Sequence, residues 1–555
     1  MKKFNRFFKR PATITITAVI LFTTVVSTSF VSRNFEIAKN LDIFATLFRE
    51  LTVNYVDDVN PAELIQTGID EMLYSLDPYT TFIPESDIED VRFMTTGQYG
   101  GIGALIMRRG EYIFVSETYD GFPAEKGGLL PGDKILEIDD QSAKNRTQEE
   151  VSTLLKGEPG SEVNLKIERG GHDQPITKTL IREVVKIDNI PYYGMLNNHT
   201  GYIKLTAFTQ NAGKEVRDAF SSLRDENDLQ HIVLDLRGNG GGLLNEAVNI
   251  TNIFVDKDEL IVETRGKLEE RNTTHQTRSQ VVDKDIPLVV LVDGASASAS
   301  EIVAGAIQDL DRGVVIGQRT FGKGLVQNIV PLSYNTQLKV TVAKYYIPSG
   351  RCIQAIDYAE RNEDGSVAAI PDSLMVAFET RNGRTVYDGG GIEPDLQTEP
   401  RSLAPISIAL LTKFHIFEFA NTFYQQNDEI PPADKFEITD EIFDDFVHFL
   451  EGKDYSYTTT SEAYINEVKK AAKEEAYYAS IQDELELIRN KIDLSKADDL
   501  VTHREEIEEI LKNEISGRYY KQRGRVIASL KDDPEVLKAI GLLSNLEKYH
   551  EILKP

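Results

Sequence analysis

Apolar residues recur at helical spacing near the start of the chain, at Ile37, Leu41, Phe44, Leu47 and Leu51. The pattern breaks at Asp57-Asp58-Val59-Asn60-Pro61 and resumes at Leu64, Ile65, Ile69, Met72 and Leu73 before closing at Asp77-Pro78. A period near 3.6 residues predicts two or three helices within residues 34–92. From 93 to 187 short apolar runs alternate with glycines, which predicts a β-rich module, with a helix over Thr147–Leu155 beside a groove and a closing strand over Val163–Ile167. Residues 188–400 interleave both periods. Strands are predicted at Gly201–Leu205 (one face exposed), His231–Leu236, Ile286–Val292, Leu325–Leu332 and Lys339–Ile347, with helices over Lys214–Arg224 and after Glu301. That is the signature of an α/β core with a mixed sheet. Residues 401–555 carry only helical periodicity, over Ile406–Tyr424, Asp440–Leu450, Ser461–Ile492, Leu500–Ser516 and Pro534–Leu553, with charges of both signs on the polar faces. The expectation is an α/β multidomain chain: N-terminal helices, a β-rich module, an α/β core and an all-α extension.

Residues 1–33 read differently. Lys2, Lys3, Arg6, Lys9 and Arg10 precede an uncharged stretch from Ala12 to Val31, and about twenty such residues suffice to span a bilayer. Positive charge stays inside, so the remainder is expected to be exported to the periplasm or another extracytoplasmic space. The stretch is longer than a usual signal core and lacks a small-x-small cleavage site, which favours an uncleaved anchor in the inner membrane over a cleaved signal peptide.

The 555 residues, 41% of them hydrophobic, are enough for three or four domains. A formal charge of −28 argues against nucleic acid and against an anionic membrane surface as partners. The single cysteine, Cys352, excludes an intramolecular disulfide and reads as a small packed residue. The eight histidines are scattered, with no H-E-x-x-H, so neither a metal nor another cofactor is expected.

The candidate chemistry lies between Asp293 and Gln327. The apolar run Ile286–Val292 feeds Asp293-Gly-Ala-Ser296-Ala-Ser298-Ala-Ser300-Glu301, so the serines sit where a strand ends and a helix begins. A helix N-terminus presents unpaired N–H groups and a positive dipole end to developing negative charge. Downstream, Lys323 stands between Gly322 and Gly324 among apolar neighbours, with no carboxylate within several residues. A lysine serves as base to a serine only if burial lowers its pKa from about 10.4 towards neutrality. Gln327, four residues on, is expected on the same strand face, able to orient the amine. Without a base the same residues are a solvated loop lysine and a serine helix cap. Gly317–Lys323 fits G-x-x-x-x-G-K, but the next residue is Gly324 and a strand follows, which excludes a phosphate-binding loop. Arg237-Gly-Asn-Gly240-Gly241-Gly242-Leu243 follows a buried strand, yet its spacing is not that of a dinucleotide turn.

Ser296-Ala-Ser298-Ala-Ser300-Glu301 with Gly322-Lys323-Gly324 resembles the active-site signature of the C-terminal processing peptidases, or tail-specific proteases, which are Ser-Lys serine endopeptidases. The resemblance implies Ser298 as nucleophile, Lys323 as base and Gln327 as its support. Asp235-Leu-Arg-Gly-Asn-Gly-Gly241 resembles the family's oxyanion-hole stretch, implying Gly241 and Ala299 as donors, with Gly242 the near alternative. Asp309 matches an acidic position some members need; from the residues alone it reads as a helix-end carboxylate beside Arg312. Tyr99-Gly100-Gly101-Ile102-Gly103 resembles the carboxylate-binding loop of a PDZ domain, and Pro123–Ile135 its most recognisable segment, so residues 93–187 are expected to bind disordered C-terminal tails. The resemblance covers roughly 34–396. It implies an exported serine endopeptidase, with an adaptor or lipoprotein partner and a homo-oligomer among the family's possibilities. The alternatives are a catalytically silent periplasmic PDZ scaffold and a lipid or polysaccharide hydrolase on the same nucleophile.

Overall fold

A computed structural model describes residues 35–361 and 367–555. The anchor stretch expected at 12–31 lies outside the described residues, and no described helix is long and apolar enough to cross a membrane. The chain forms two compact units, up to Phe82 and from Ile83 onward. The first holds helix α1 (35–54) and helix α2 (Pro61–Tyr74), the latter capped by Asn60, whose side chain accepts from the Ala62 N–H, with Pro61 opening its first turn.

The second unit begins with α3 (Ile88–Thr96) and strand β1 (Gln98–Gly101). The β-rich module follows as β2 (Ala104–Arg109), β3 (Tyr112–Thr118), β4 (Lys134–Ile138), α4 (Gln148–Leu155), β5 (Glu162–Glu168) and β6 (Ile176–Ile181), with its sheet in the order β2-β3-β4-β5-β6. α4 starts at a capping box between Thr147 and Glu150. The strand expected to close this module, β5, lies between β4 and β6; its alternate residues Val163, Leu165 and Ile167 are fully buried, as an interior strand requires. β7 (Glu183–Lys186) pairs with β1 and returns the chain to the core.

The α/β core is a six-stranded mixed sheet, in order β8 (Tyr192–Met195), β9 (Thr200–Lys204), β10 (His231–Asp235), β13 (Leu288–Val292), β14 (Val314–Gly317) and β17 (Leu396–Gln397). Only the β8–β9 pair is antiparallel. Alternate residues serve opposite layers. Ile232, Leu234, Leu288, Val290 and Val315 face helices α5 (Ala212–Glu226), α6 (Leu244–Phe254) and α7 (Ala299–Asp309). Val233, Val289, Leu291, Val314 and Ile316 face the end of the chain, where Val536, Ala539, Leu542, Leu543, Tyr549 and Leu553 complete a second core. Burial on both faces is why these strands read as continuous apolar runs. It also corrects the expectation that Gly201–Leu205 has an exposed face: Tyr202 is buried against the terminal helices and its hydroxyl donates to Asp235. An antiparallel group, β15 (Leu325–Pro331), β16 (Gln337–Tyr346), β11 (Leu260–Gly266) and β12 (Thr273–Gln276), runs beside this sheet in that order.

The extension builds its own core from α8 (Pro405–Thr412), α9 (His415–Gln426), α10 (Asp440–Phe449) and α13 (Arg504–Leu530, broken by a kink at Lys521), centred on Phe419, Phe443, Phe446 and Leu511. α11 (Thr460–Glu474) and α12 (Gln482–Ala497) lie between α10 and α13 in sequence, and α14 (Pro534–Leu543) and α15 (Leu546–Ile552) are the helices that cover the catalytic sheet. Two predicted long helices are in fact broken, at Phe414 and Ala476, both in the left-handed region without being glycine.

Candidate active site

Three serines of the motif stand in three environments. Ser296 is fully buried; its hydroxyl donates to Leu236 O at 2.9 Å and accepts from the Asp293 N–H. Ser300 is fully buried as well, donating to Asn239 O at 2.8 Å. Both hydroxyls are thereby committed to holding the glycine stretch against the turn. Ser298 is half-buried and lines a cavity of about 560 Å³ together with Lys323, Gln327, Gly241 and Gly242. Its backbone is at φ 56°, ψ −110°. For a residue with a Cβ this is a strained turn, retained where surrounding contacts over-determine it. The strain places the side chain at the sharp junction between β13 and α7.

Two residues that the reading of the sequence missed tie serine to lysine. Glu301, fully buried in the first turn of α7, accepts four hydrogen bonds. Its Oε2 takes the N–H groups of Ser298 (2.8 Å) and Lys323 (2.9 Å), and its Oε1 takes the Thr320 hydroxyl (2.6 Å) and the Gly322 N–H (2.7 Å). Burial raises its pKa, and these donors pull the other way. Its position three residues after Ser298 is the signal for a helix-start cap; the link to Lys323 could not be read from it. Tyr345, buried in β16, donates to the carbonyls of Ser298 and Lys323. The space around Lys323 therefore does contain a carboxylate, at its backbone, contrary to the local sequence.

Gln327 shares the cavity, and its amide donates to Thr341 Oγ1 at 3.2 Å. Lys323 precedes β15 rather than lying in it, so it is the loop and not strand alternation that brings the two into one cavity. Gly241 packs against the nucleophile turn: at φ +99° a Cβ there would sit 2.7 Å from Ala297 O and 2.9 Å from the Ala299 nitrogen. Only glycine fits. Its N–H donates to Asn239 Oδ1 at 2.9 Å, so in this geometry the expected oxyanion donor is engaged within the loop.

Below the glycine stretch, Asp235 is fully buried and bonded to Arg237, to the Tyr202 hydroxyl and to Lys204 at 3.2 Å. Burial alone would raise its pKa; Lys204 and Arg237 hold it well below the usual carboxylate range. Arg237 continues to Asp533 and Glu535, linking the glycine stretch to the start of α14. Asp309 pairs with the buried Arg351 at 2.8 Å and accepts from the Ser349 N–H, so it fixes the Pro348–Arg351 turn. The expected neighbour Arg312 instead donates to backbone carbonyls of Phe254, Asp283 and Ile286.

In the β-rich module Gly100 and Gly101 are strand residues paired with Val184 and Glu183, leaving Ile102 and Gly103 to form the turn. Gly103, at φ +74°, lies against Phe122, where a Cβ would come within 2.4 Å. The carbonyls of Ile102 and Gly103 accept from Ala124 and Tyr119 N–H groups, holding the turn against the rest of the domain.

A serine at a strand-to-helix turn that shares a cavity with a lysine is an arrangement suited to a serine-type peptidase. Family descriptions match in three places: "Peptidase family S41" at 199–360, "PDZ domain" at 114–169, and "Probable PDZ-protease, C-terminal helical domain" at 406–543. A carboxy-terminal-processing protease of Bartonella bacilliformis is 36% identical over 57% of this chain and 73% of its own length. The carboxy-terminal processing protease CtpA of Bacillus subtilis is 30% identical over 60% of this chain and 74% of its own. Among solved structures, a photosystem II D1 C-terminal processing protease aligns at 30% identity over 65% of this chain and 88% of that one, with a TM-score of 0.37. The chain belongs to the carboxy-terminal-processing proteases of peptidase family S41 and is a serine-type peptidase with a PDZ domain.

Proposed function

We propose that the protein is an exported endopeptidase, periplasmic and held at the inner membrane by residues 12–31, that engages unstructured C-terminal tails through its PDZ domain and cleaves them with a Ser-Lys mechanism. One observation carries the catalytic part. Of the motif's serines, Ser298 alone lines the cavity with Lys323 and Gln327, whereas the hydroxyls of Ser296 and Ser300 donate to buried backbone carbonyls. Ser298 Oγ attacks the scissile carbonyl carbon while the neutral Lys323 amine takes its proton. The oxyanion develops at the N-terminus of α7, beside the Ala299 N–H, and the Gly241 N–H becomes a second donor once it leaves Asn239 Oδ1. Lys323 then returns the proton to the leaving amine, and water resolves the acyl-enzyme by the same route.

Support for the PDZ part is the glycine turn at Ile102–Gly103, beside strand β2, whose edge offers a peptide an added strand. A second reading, a catalytically silent tail-binding scaffold, draws on the Gly241 N–H being turned to Asn239. Disordered tail peptides distinguish the two. Ser298→Ala and Lys323→Ala are each expected to abolish cleavage while the melting temperature moves by a few degrees or less. A wild-type protein that binds such a peptide and never cuts it would establish the scaffold.

A further inference from the structure

The catalytic cavity has a neighbour. Leu243, Leu244, Val326 and Gln327 form a shared wall between it and a second cavity of about 620 Å³, bounded by β11, β12 and the turn that joins them. On its near side the catalytic cavity reaches Gly97 and Ile187, which flank the β1–β7 pair that leads to the PDZ glycine turn. A tail whose C-terminus is held at that turn therefore enters from the near side. The residues after the scissile bond occupy the catalytic cavity, and the chain before the bond leaves past Gln327 into the second cavity.

That second cavity differs in charge from the rest of the molecule. Lys267 and Arg271 line it, exposed and without an ion-pair partner among the described residues. The one carboxylate in its lining, Glu246, already accepts the Gly213 N–H at 2.7 Å. Glu269 and Glu270 share the turn but do not line the cavity. His275 is held below its usual pKa by burial and by Arg278, and adds no charge near neutral pH. In a chain of net charge −28, two uncompensated cations in a cleft create a local potential that attracts anions.

We propose that the cavity beyond Gln327 is the subsite for the substrate segment on the N-terminal side of the scissile bond, and that Lys267 and Arg271 select Asp or Glu side chains there. This rests on the endopeptidase reading, with its tail-held polarity. The test uses the full-length protein and one disordered peptide with a fixed apolar C-terminus, in which each of several positions before the mapped cleavage site is set to Glu, Gln or Lys. The readout is the ratio of kcat/KM for the Glu peptide to that for the Lys peptide. Exposed ion pairs each discriminate by up to about fivefold, so a ratio of roughly five to ten is expected at one or more of these positions. It should fall to about one in Lys267→Gln/Arg271→Gln and invert in Lys267→Glu/Arg271→Glu. Equal rates for all three peptides, a preference seated only after the scissile bond, or a ratio unchanged in both variants overturns the proposal. Since cleavage of the Gln peptide by the wild type is scored separately, loss of the charge ratio with cleavage intact removes the subsite and leaves the peptidase standing.

Discussion

At the scale of the residue, Tyr345 deserves a role that no short motif assigns. Its hydroxyl bonds to the backbone carbonyls of Ser298 and Lys323, so it holds two loops from different parts of the chain in register. Tyr345→Phe keeps the ring and its packing and removes the hydroxyl that makes these bonds. With about 0.5–1.5 kcal/mol per hydrogen bond, kcat is expected to fall roughly tenfold while KM changes little. Steady-state kinetics on a tail peptide will show it, and an unchanged kcat would mean the register is held by Glu301 alone. The serines make the complementary point. Ser296, Ser298 and Ser300 are equivalent in a sequence of alternating Ser and Ala, and only the fold separates Ser298, which lines the cavity, from Ser296 and Ser300, which donate to buried carbonyls.

At the scale of the element, the glycine stretch after β10 depends on a buried ionic cluster. Asp235 has a depressed pKa, so its contribution to stability is present above the ordinary carboxylate range and is lost as pH falls through that range towards the folded-state value. Asp235→Asn leaves Arg237 and Lys204 short of their central anion, and breaking a buried pair in this way costs about 3–5 kcal/mol. The expected outcome is a large loss of melting temperature at pH 7 that starts to shrink only below the ordinary carboxylate range, where the unfolded chain takes up the proton that the folded Asp235 still refuses. A pH-independent gap would mean that the cluster is not the source. The elements themselves were mostly legible in the sequence. α4 forms within a residue of the expected span and α2 within the stretch read as helical, because the Thr147–Glu150 pair and Asn60-Pro61 are local signals. The break at Phe414 was not legible: a phenylalanine in the left-handed region is imposed by packing, with Arg109 of the PDZ domain over its ring.

At the scale of the whole molecule, the end of the chain completes the catalytic domain. Val536, Leu542, Leu543 and Leu553 are buried against the sheet face opposite α5, α6 and α7. Burying each is worth about 1.5–3 kcal/mol, so together they match the 5–15 kcal/mol that typically stabilises a domain. Truncation after Asp532 also removes Asp533 and Glu535 from Arg237. The truncated protein is expected to be insoluble, or to bind a hydrophobic dye and lose cleavage entirely; a soluble, active product would show that the sheet tolerates an open face. The extension also holds the PDZ domain, through Arg525 of α13 on Glu117 and Glu418 of α9 on Arg109, so that domain is fixed to helices that precede the pair covering the sheet.

The sequence by itself determined the succession of helical, β-rich, α/β and all-α regions, because hydrophobic period, caps and glycine turns act over a few residues. It also pointed to Ser298, Lys323 and the glycine stretch, which the fold brings to one cavity. Tertiary structure alone decided which serine lines the cavity, that Asp309 pairs with Arg351, that Glu301 and Tyr345 join the Ser298 and Lys323 loops, and that the terminal helices cover the sheet. Those contacts link residues from about twenty to several hundred positions apart, and no local pattern encodes which distant partner satisfies a buried polar group.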